Sequence, residues 1–188
     1  MSLKKYLGIG AGALALAAFP AFSQTADETF GTTVSEEGAI KVPENYQENM
    51  VFIGTWGIKG GEEDKIAGFH NVFTSHDVVE YFKKTGEFPD GAVLVKELMG
   101  ATSGRKTTGD VAWAGEIDGW FVMVKDKTGR FPGNPLWGNG WGWSYYGADD
   151  PVNTISTNFR SDCLGCHIPA RQTDWIFMEG YPVLKKEE

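Results

Sequence analysis

The chain has little of what usually ligates metals or cross-links folds: 188 residues hold two cysteines and three histidines. Both cysteines and one histidine fall in a single heptapeptide, "SDCLGCH" (161–167). Long hydrophobic runs are also scarce. The apolar stretch "YLGIGAGALALAAF" (6–19) is too short, and too rich in glycine and alanine, for a transmembrane helix. Positive charge is in deficit, with 17 Lys and Arg against 25 Asp and Glu, a formal net charge of −8. The acidic excess is dispersed and repels both nucleic acid and anionic lipid, which removes them as partners. No internal repeat is present, so a solenoid is excluded.

What is present begins with Lys4 and Lys5 ahead of that apolar stretch, followed by Pro20 and Ala21-Phe22-Ser23. A basic start, a short apolar centre and small residues at a cut site describe a secretory signal peptide over residues 1–23. An uncleaved anchor is the alternative, disfavoured by the length of the run. Cleavage near Gln24 would send the chain to the periplasm, without membrane attachment. Polar "QTADETFGTTVSEEGAI" (24–40) reads as a flexible N-terminal arm. Residues 41–188 suffice for a single domain with its own core.

Strands are expected at "NMVFIGTWG" (49–57), "GFHNVF" (68–73), "AVLVKEL" (92–98), "VAWAGEI" (111–117), "WFVMVKD" (120–126) and "GWGWSYYG" (140–147). Asp118-Gly119 reads as a hairpin turn between two of them, and glycine-rich "GATSGRKTTGD" (100–110) leads into "VAWAGEI". "TSHDVVEYFKKTG" (74–86) reads as a helix, with Val78, Tyr81, Phe82 and Thr85 at core spacing and Gly86 as its stop. The class is α+β: a mostly antiparallel sheet of about five or six strands with a few helices, one of them short and near the C-terminus.

Three chemistries compete for "CLGCH". A Cys163–Cys166 disulfide would close a very small loop and leave His167 unexplained. Zinc needs a fourth ligand, and nothing in the spacing singles out His70, His76 or a carboxylate. Cys-x-x-Cys-His is the attachment signature of c-type haem, and export supplies the compartment in which bacteria complete that attachment. The two thiols would form thioethers and His167 would be the proximal iron ligand. Met50, Met99, Met123 and Met178 are conceivable second ligands, but each lies in or beside an apolar run where packing is the better default.

In "GAVLVKEL", Leu94 and Lys96 share one strand face while Val93, Val95 and Glu97 share the other. Neither face is polar before Lys96. A lysine entering such surroundings needs a partner or a function, unless it snorkels to water from the strand end. Trp137, Trp141, Trp143, Tyr145 and Tyr146 could line a haem but suit a core equally. Arg130, Arg160 and Arg171 could pair with haem propionates or lie at the surface.

Taken together, "KKTGEFPDGAVLVKEL", "WFVMVKD", "WGNGWGWSYY" and "CLGCHIPARQTDWIFMEGYPVL" resemble the cytochrome P-460 family, which includes the cytochromes c′-beta. The resemblance runs from about residue 42 to 184. It implies one covalently bound, five-coordinate haem c per chain near the C-terminal Cys-x-x-Cys-His helix, commonly in a homodimer. In the hydroxylamine oxidisers of the family a lysine is joined to the porphyrin edge, and Lys96 stands at that position. The cytochromes c′-beta lack that bond and bind nitric oxide behind an apolar distal face, for which Phe52, Phe69 and Phe73 are candidates. His70 falls where the oxidisers carry an arginine; a distal proton donor, a sixth ligand and a core histidine are its three readings. Glu97 and Asp162 are further candidates for a distal base, and His76 reads as exposed. The resemblance implies redox chemistry on hydroxylamine with a periplasmic electron acceptor. Nitric oxide binding without catalysis is the alternative, and plain electron carriage is a third reading.

Overall fold

The computed structural model describes residues 24–60 and 65–185. The leader expected at 1–23 lies outside the described residues, and no helix among them is long and apolar enough to cross a membrane.

The fold is α+β, as expected. In chain order the elements are α1 (Ala26–Thr33), α2 (Tyr46–Asn49), β1 (Val51–Gly60), β2 (Lys65–Thr74), α3 (His76–Thr85), β3 (Val93–Lys106), β4 (Gly109–Lys125), β5 (Trp137–Gly138), β6 (Trp141–Gly147), α4 (Phe159–Asp162) and α5 (Leu164–His167). Two short 3-10 helices, Ile168–Thr173 and Pro182–Leu184, end the described chain. The strands form one antiparallel sheet in the order β1-β2-β3-β4-β6-β5.

Both faces of the sheet are covered, which is why β3 reads as apolar on either side. One face carries Phe73, Val93, Val95, Val122, Val124 and Tyr146, packed under Val34, Ile40, Val42, Tyr46 and Met50 from the N-terminal segment. The other carries Ile53, Val72, Leu94, Met123, Trp141 and Trp143. Against it pack Val78 and Val79 of α3, with Phe159, Cys163, Ile176, Tyr181 and Leu184 of the C-terminal segment.

Three expectations are corrected. Residues 24–40 are not a flexible arm: Thr25 and Glu28 close a reciprocal capping box on α1, and Thr29, Thr33, Val34 and Ile40 are buried. Polar composition hid this helix, because threonines fill much of its buried face. On α3 the inward stripe is Val78, Val79 and Phe82, while Tyr81 and Thr85 are exposed. Gly86 does end that helix, in the left-handed conformation at φ 78°.

The third correction concerns Asp118-Gly119, which is no hairpin turn. β4 runs through it, and β3 and β4 instead join at Thr107 and Thr108, with Lys106 paired to Gly109. Leu98 pairs with Gly119 and Met99 with Ile117, so Asp118 is the extra residue of a β-bulge. Gly119 has φ 153°, and a Cβ there would lie 2.4 Å from the carbonyl oxygen of Tyr146. The glycine serves close strand approach, not chain reversal. Gly119→Ala is therefore expected to cost about 1–3 kcal/mol, read as a lower urea midpoint with unchanged slope.

Candidate haem site

The heptapeptide is shaped by its own hydrogen bonds. Asn158 caps α4 by accepting from Arg160 N at 3.0 Å. The Asp162 carboxylate accepts from Thr157 N at 2.7 Å, Asn158 N at 3.0 Å and Ser161 Oγ at 2.6 Å. Those donors hold its pKa well below the usual carboxylate range. Asp162 is thereby a structural anion and a poor distal base. Cys163, between α4 and α5, is buried and Cys166 is exposed; both thiols are free. Burial pushes the Cys163 thiol pKa up.

His167 ends α5 with Nδ1 2.6 Å from the carbonyl oxygen of Trp175. A carbonyl only accepts, so Nδ1 carries the proton and Nε2 keeps its lone pair. Burial lowers the imidazole pKa against the upward pull of that carbonyl, and the charge of Lys96 lowers it further. Trp143 meets the ring edge-on at 5.0 Å and Phe177 lies 5.9 Å away. The carbonyl comes from a turn in which Asp174 and Trp175 have φ 56° and 69°. Such conformations cost about 1–3 kcal/mol each for residues other than glycine.

These groups rim a cavity of about 310 Å³. Its other wall is one face of the sheet: His70 and Val72 of β2, Leu94 and Lys96 of β3, Phe121 and Met123 of β4, and Trp143 of β6. The register aligns them in rows, Val72–Lys96–Phe121 and Leu94–Met123–Trp143. Lys96 stands with Nζ 4.3 Å from the Phe121 ring centre and makes no hydrogen bond or ion pair with any described residue. Burial lowers its pKa, partly offset by the two cysteines. Burial and then the charge of Lys96 lower the pKa of His70.

The fold thus brings together Lys96, His70, Cys163, Cys166 and His167. It does not bring Glu97, which points to the opposite face, where it is buried and accepts from Tyr46 Oη, from Gln47 Nε2 at 2.5 Å and from Asn71 Nδ2 at 3.1 Å. Arg171 is exposed, 5.8 Å from the Trp175 ring, and Arg160 is exposed beside Phe159. Arg130 pairs with Asp90 and Asp126. None of the three arginines lines the cavity. Neither do Phe52, Phe69 and Phe73; the apolar wall comes instead from Val72, Leu94, Phe121 and Met123. Of the four candidate methionines only Met123 is in that wall, and His76 is exposed.

Phe121 was missed by sequence reasoning, although it alternates with Met123 beyond Gly119 and could have been placed by period. Phe177 and Tyr181 gave no signal, because they sit on irregular backbone.

The residues fit a haem. Two free thiols three positions apart and an imidazole with an available nitrogen lie on one helical turn at a largely apolar cavity. Among the described residues no three His, Cys, Asp or Glu side chains converge as an ion site, so zinc lacks its ligand set. The separation of the two sheet faces is testable at Tyr46, whose hydroxyl bridges Glu97 and Trp120 Nε1, the latter at 2.9 Å. Tyr46→Phe is expected to cost about 1–3 kcal/mol in urea unfolding and to leave the optical spectrum of the haem-loaded protein unchanged.

No curated protein matches the chain. A sequence profile of the family described as Cytochrome P460 matches residues 43–178, a span that takes in Lys96, the sheet wall and the Cys-x-x-Cys-His turn. With most of its length matched, the chain belongs to the cytochrome P460 family, haem cytochromes, and haem is its implied cofactor.

Proposed function

We propose that this is an exported c-type monohaem cytochrome that oxidises a small nitrogen compound of the hydroxylamine class and passes the electrons to a periplasmic acceptor. The observation that carries the reading is Lys96: a half-buried amine on the cavity wall, set against the Phe121 ring with no hydrogen bond or ion pair among the described residues, its pKa lowered by burial and partly raised again by the two cysteines. The basic, apolar, small-residue leader supports export. Cys163 and Cys166 would carry the thioethers and His167 would hold the iron through Nε2. When bound, the haem supplies the electron sink for the oxidation.

The chain's own residues do the rest. Val72, Leu94, Phe121 and Met123 exclude bulk water from the cavity and favour a small neutral molecule. Lys96, with its charge disfavoured by burial, would be the amine to join the macrocycle edge when haem is bound. One N–H and one ring C–H would give way to a nitrogen–carbon bond while a peroxide-class oxidant takes up the two electrons and two protons. His70, also kept neutral by burial, is the wall's available proton acceptor, since Asp162 is committed to capping and Glu97 faces away. A second reading, reversible nitric oxide binding of the c′-beta kind, is favoured by that aliphatic and aromatic wall. Two chains pairing as a homodimer is the assembly the family resemblance implies.

In a tryptic digest of the wild-type protein, the haem peptide is expected to join the Lys96 segment to the Cys163–Cys166 segment. Lys96→Leu should remove that third attachment, shift the Soret band and abolish hydroxylamine turnover while both thioethers remain. A wild-type haem peptide with two cysteines alone, and no turnover, would hand the site to nitric oxide binding.

The pH dependence has a fixed sign. Because burial depresses the His70 pKa below its ordinary 6.5, the neutral base persists below that pH and turnover falls only on further acidification. His70→Gln should lower turnover about 10²–10⁴-fold, the usual worth of a positioned base, and flatten that acid limb.

A further inference from the structure

The turn after the Cys-x-x-Cys-His helix is gripped from the sheet. Asp174 tolerates the left-handed conformation, but a tryptophan rarely adopts it, and Trp175 does so at φ 69°. The Asp174 carboxylate accepts from Lys125 Nζ at 2.8 Å and from Trp141 Nε1 at 3.2 Å. Lys125 is buried, and its Nζ lies 4.7 Å from the ring of Trp141, its register partner across β4 and β6. The same two strands carry Met123 and Trp143, which wall the cavity. Within the turn, Trp175 N donates to Ala170 O at 2.8 Å and Thr173 Oγ to Ile176 O at 2.8 Å.

A turn that merely closed the cavity would need neither an ion pair to a buried lysine nor a tryptophan in this conformation. What the conformation delivers is one carbonyl, that of Trp175, 2.6 Å from His167 Nδ1. We propose that Lys125 and Asp174 are positioning residues for His167: their ion pair sets the 173–176 turn so that the Trp175 carbonyl fixes the imidazole tautomer and strengthens Nε2 as a donor. A hydrogen bond to the far nitrogen of a ligating histidine is a known lever on ligand basicity. The inference rests on the reading of His167 as axial ligand, and is independent of the substrate.

The test uses the full-length, haem-loaded protein with Asp174→Asn, Lys125→Met and Asp174→Glu. Resonance Raman of the ferrous form reads the iron–imidazole stretch, and a spectroelectrochemical titration reads the midpoint potential. Asp174→Asn and Lys125→Met should lower the stretching frequency and raise the potential, and Asp174→Glu should return both part of the way. Tyr46→Phe, a destabilising change on the opposite sheet face, should move neither. Lys125→Met keeps the Trp141 bond to Asp174 and the backbone bonds of the turn, so it carries the test should Asp174→Asn not fold. Wild-type frequency and potential in these variants, even with lowered thermal stability, would overturn the proposal. Absence of any iron–imidazole band from the wild-type protein would instead defeat the axial-ligand reading.

Discussion

The site depends on one constraint: residues 93–97 of β3 are covered on both faces of the sheet, and the two-residue period of the strand sends the neighbours Lys96 and Glu97 in opposite directions. Glu97 is 1 % exposed and its carboxylate is met by Tyr46, Gln47 and Asn71. A buried carboxylate without those donors would cost several kcal/mol, so β3 has one tolerable register. A slip by one residue would send Glu97 into the cavity and Lys96 into a layer of valines. The network on the far face thus fixes which side chain reaches the site, although none of its members touches the cavity.

On the cavity side, burial acts on three nitrogens at once. His70, Lys96 and His167 all have their charged forms disfavoured, and the charge of Lys96 adds to the effect on both histidines. The apolar walls tilt each of the three toward its neutral form. That is the form in which an imidazole can ligate and an amine can react. The acidic surface of the chain does not contradict this, since its carboxylates are dispersed over the exterior or, like Asp162, tied to backbone donors.

Much of this was legible in the residues because strand period and motif spacing are local. Lys96 and Leu94 on one face, the Cys163–Cys166–His167 cluster and the α+β class all follow from short windows. What failed was non-local or disguised. Asp118-Gly119 has the composition of a turn, and only the close approach of the Tyr146 carbonyl shows why glycine is required in mid-strand. The threonine-lined α1 lacks the apolar stripe that marks a packed helix. Phe52, Phe69 and Phe73 could not be separated from Phe121 without the register that turns Phe121 alone toward Lys96. The Trp175 carbonyl had no side-chain signature at all.

The geometry also narrows what separates a reaction from simple binding. Oxidation of a hydrogen-bearing nitrogen compound releases protons, and a proton must leave through a group on the cavity wall. Glu97 is turned away and Asp162 is held as an anion by its capping bonds, which leaves His70 and Lys96. If Lys96 is bonded to the macrocycle, its lone pair is delocalised into the ring, the nitrogen is a poor base, and His70 is the remaining acceptor on the wall. If Lys96 is free, the cavity keeps His70 beside an amine whose charged form burial disfavours, and the porphyrin is unchanged. Bond formation at Lys96 and proton acceptance at His70 are therefore linked requirements of the enzymatic reading, while nitric oxide binding needs neither.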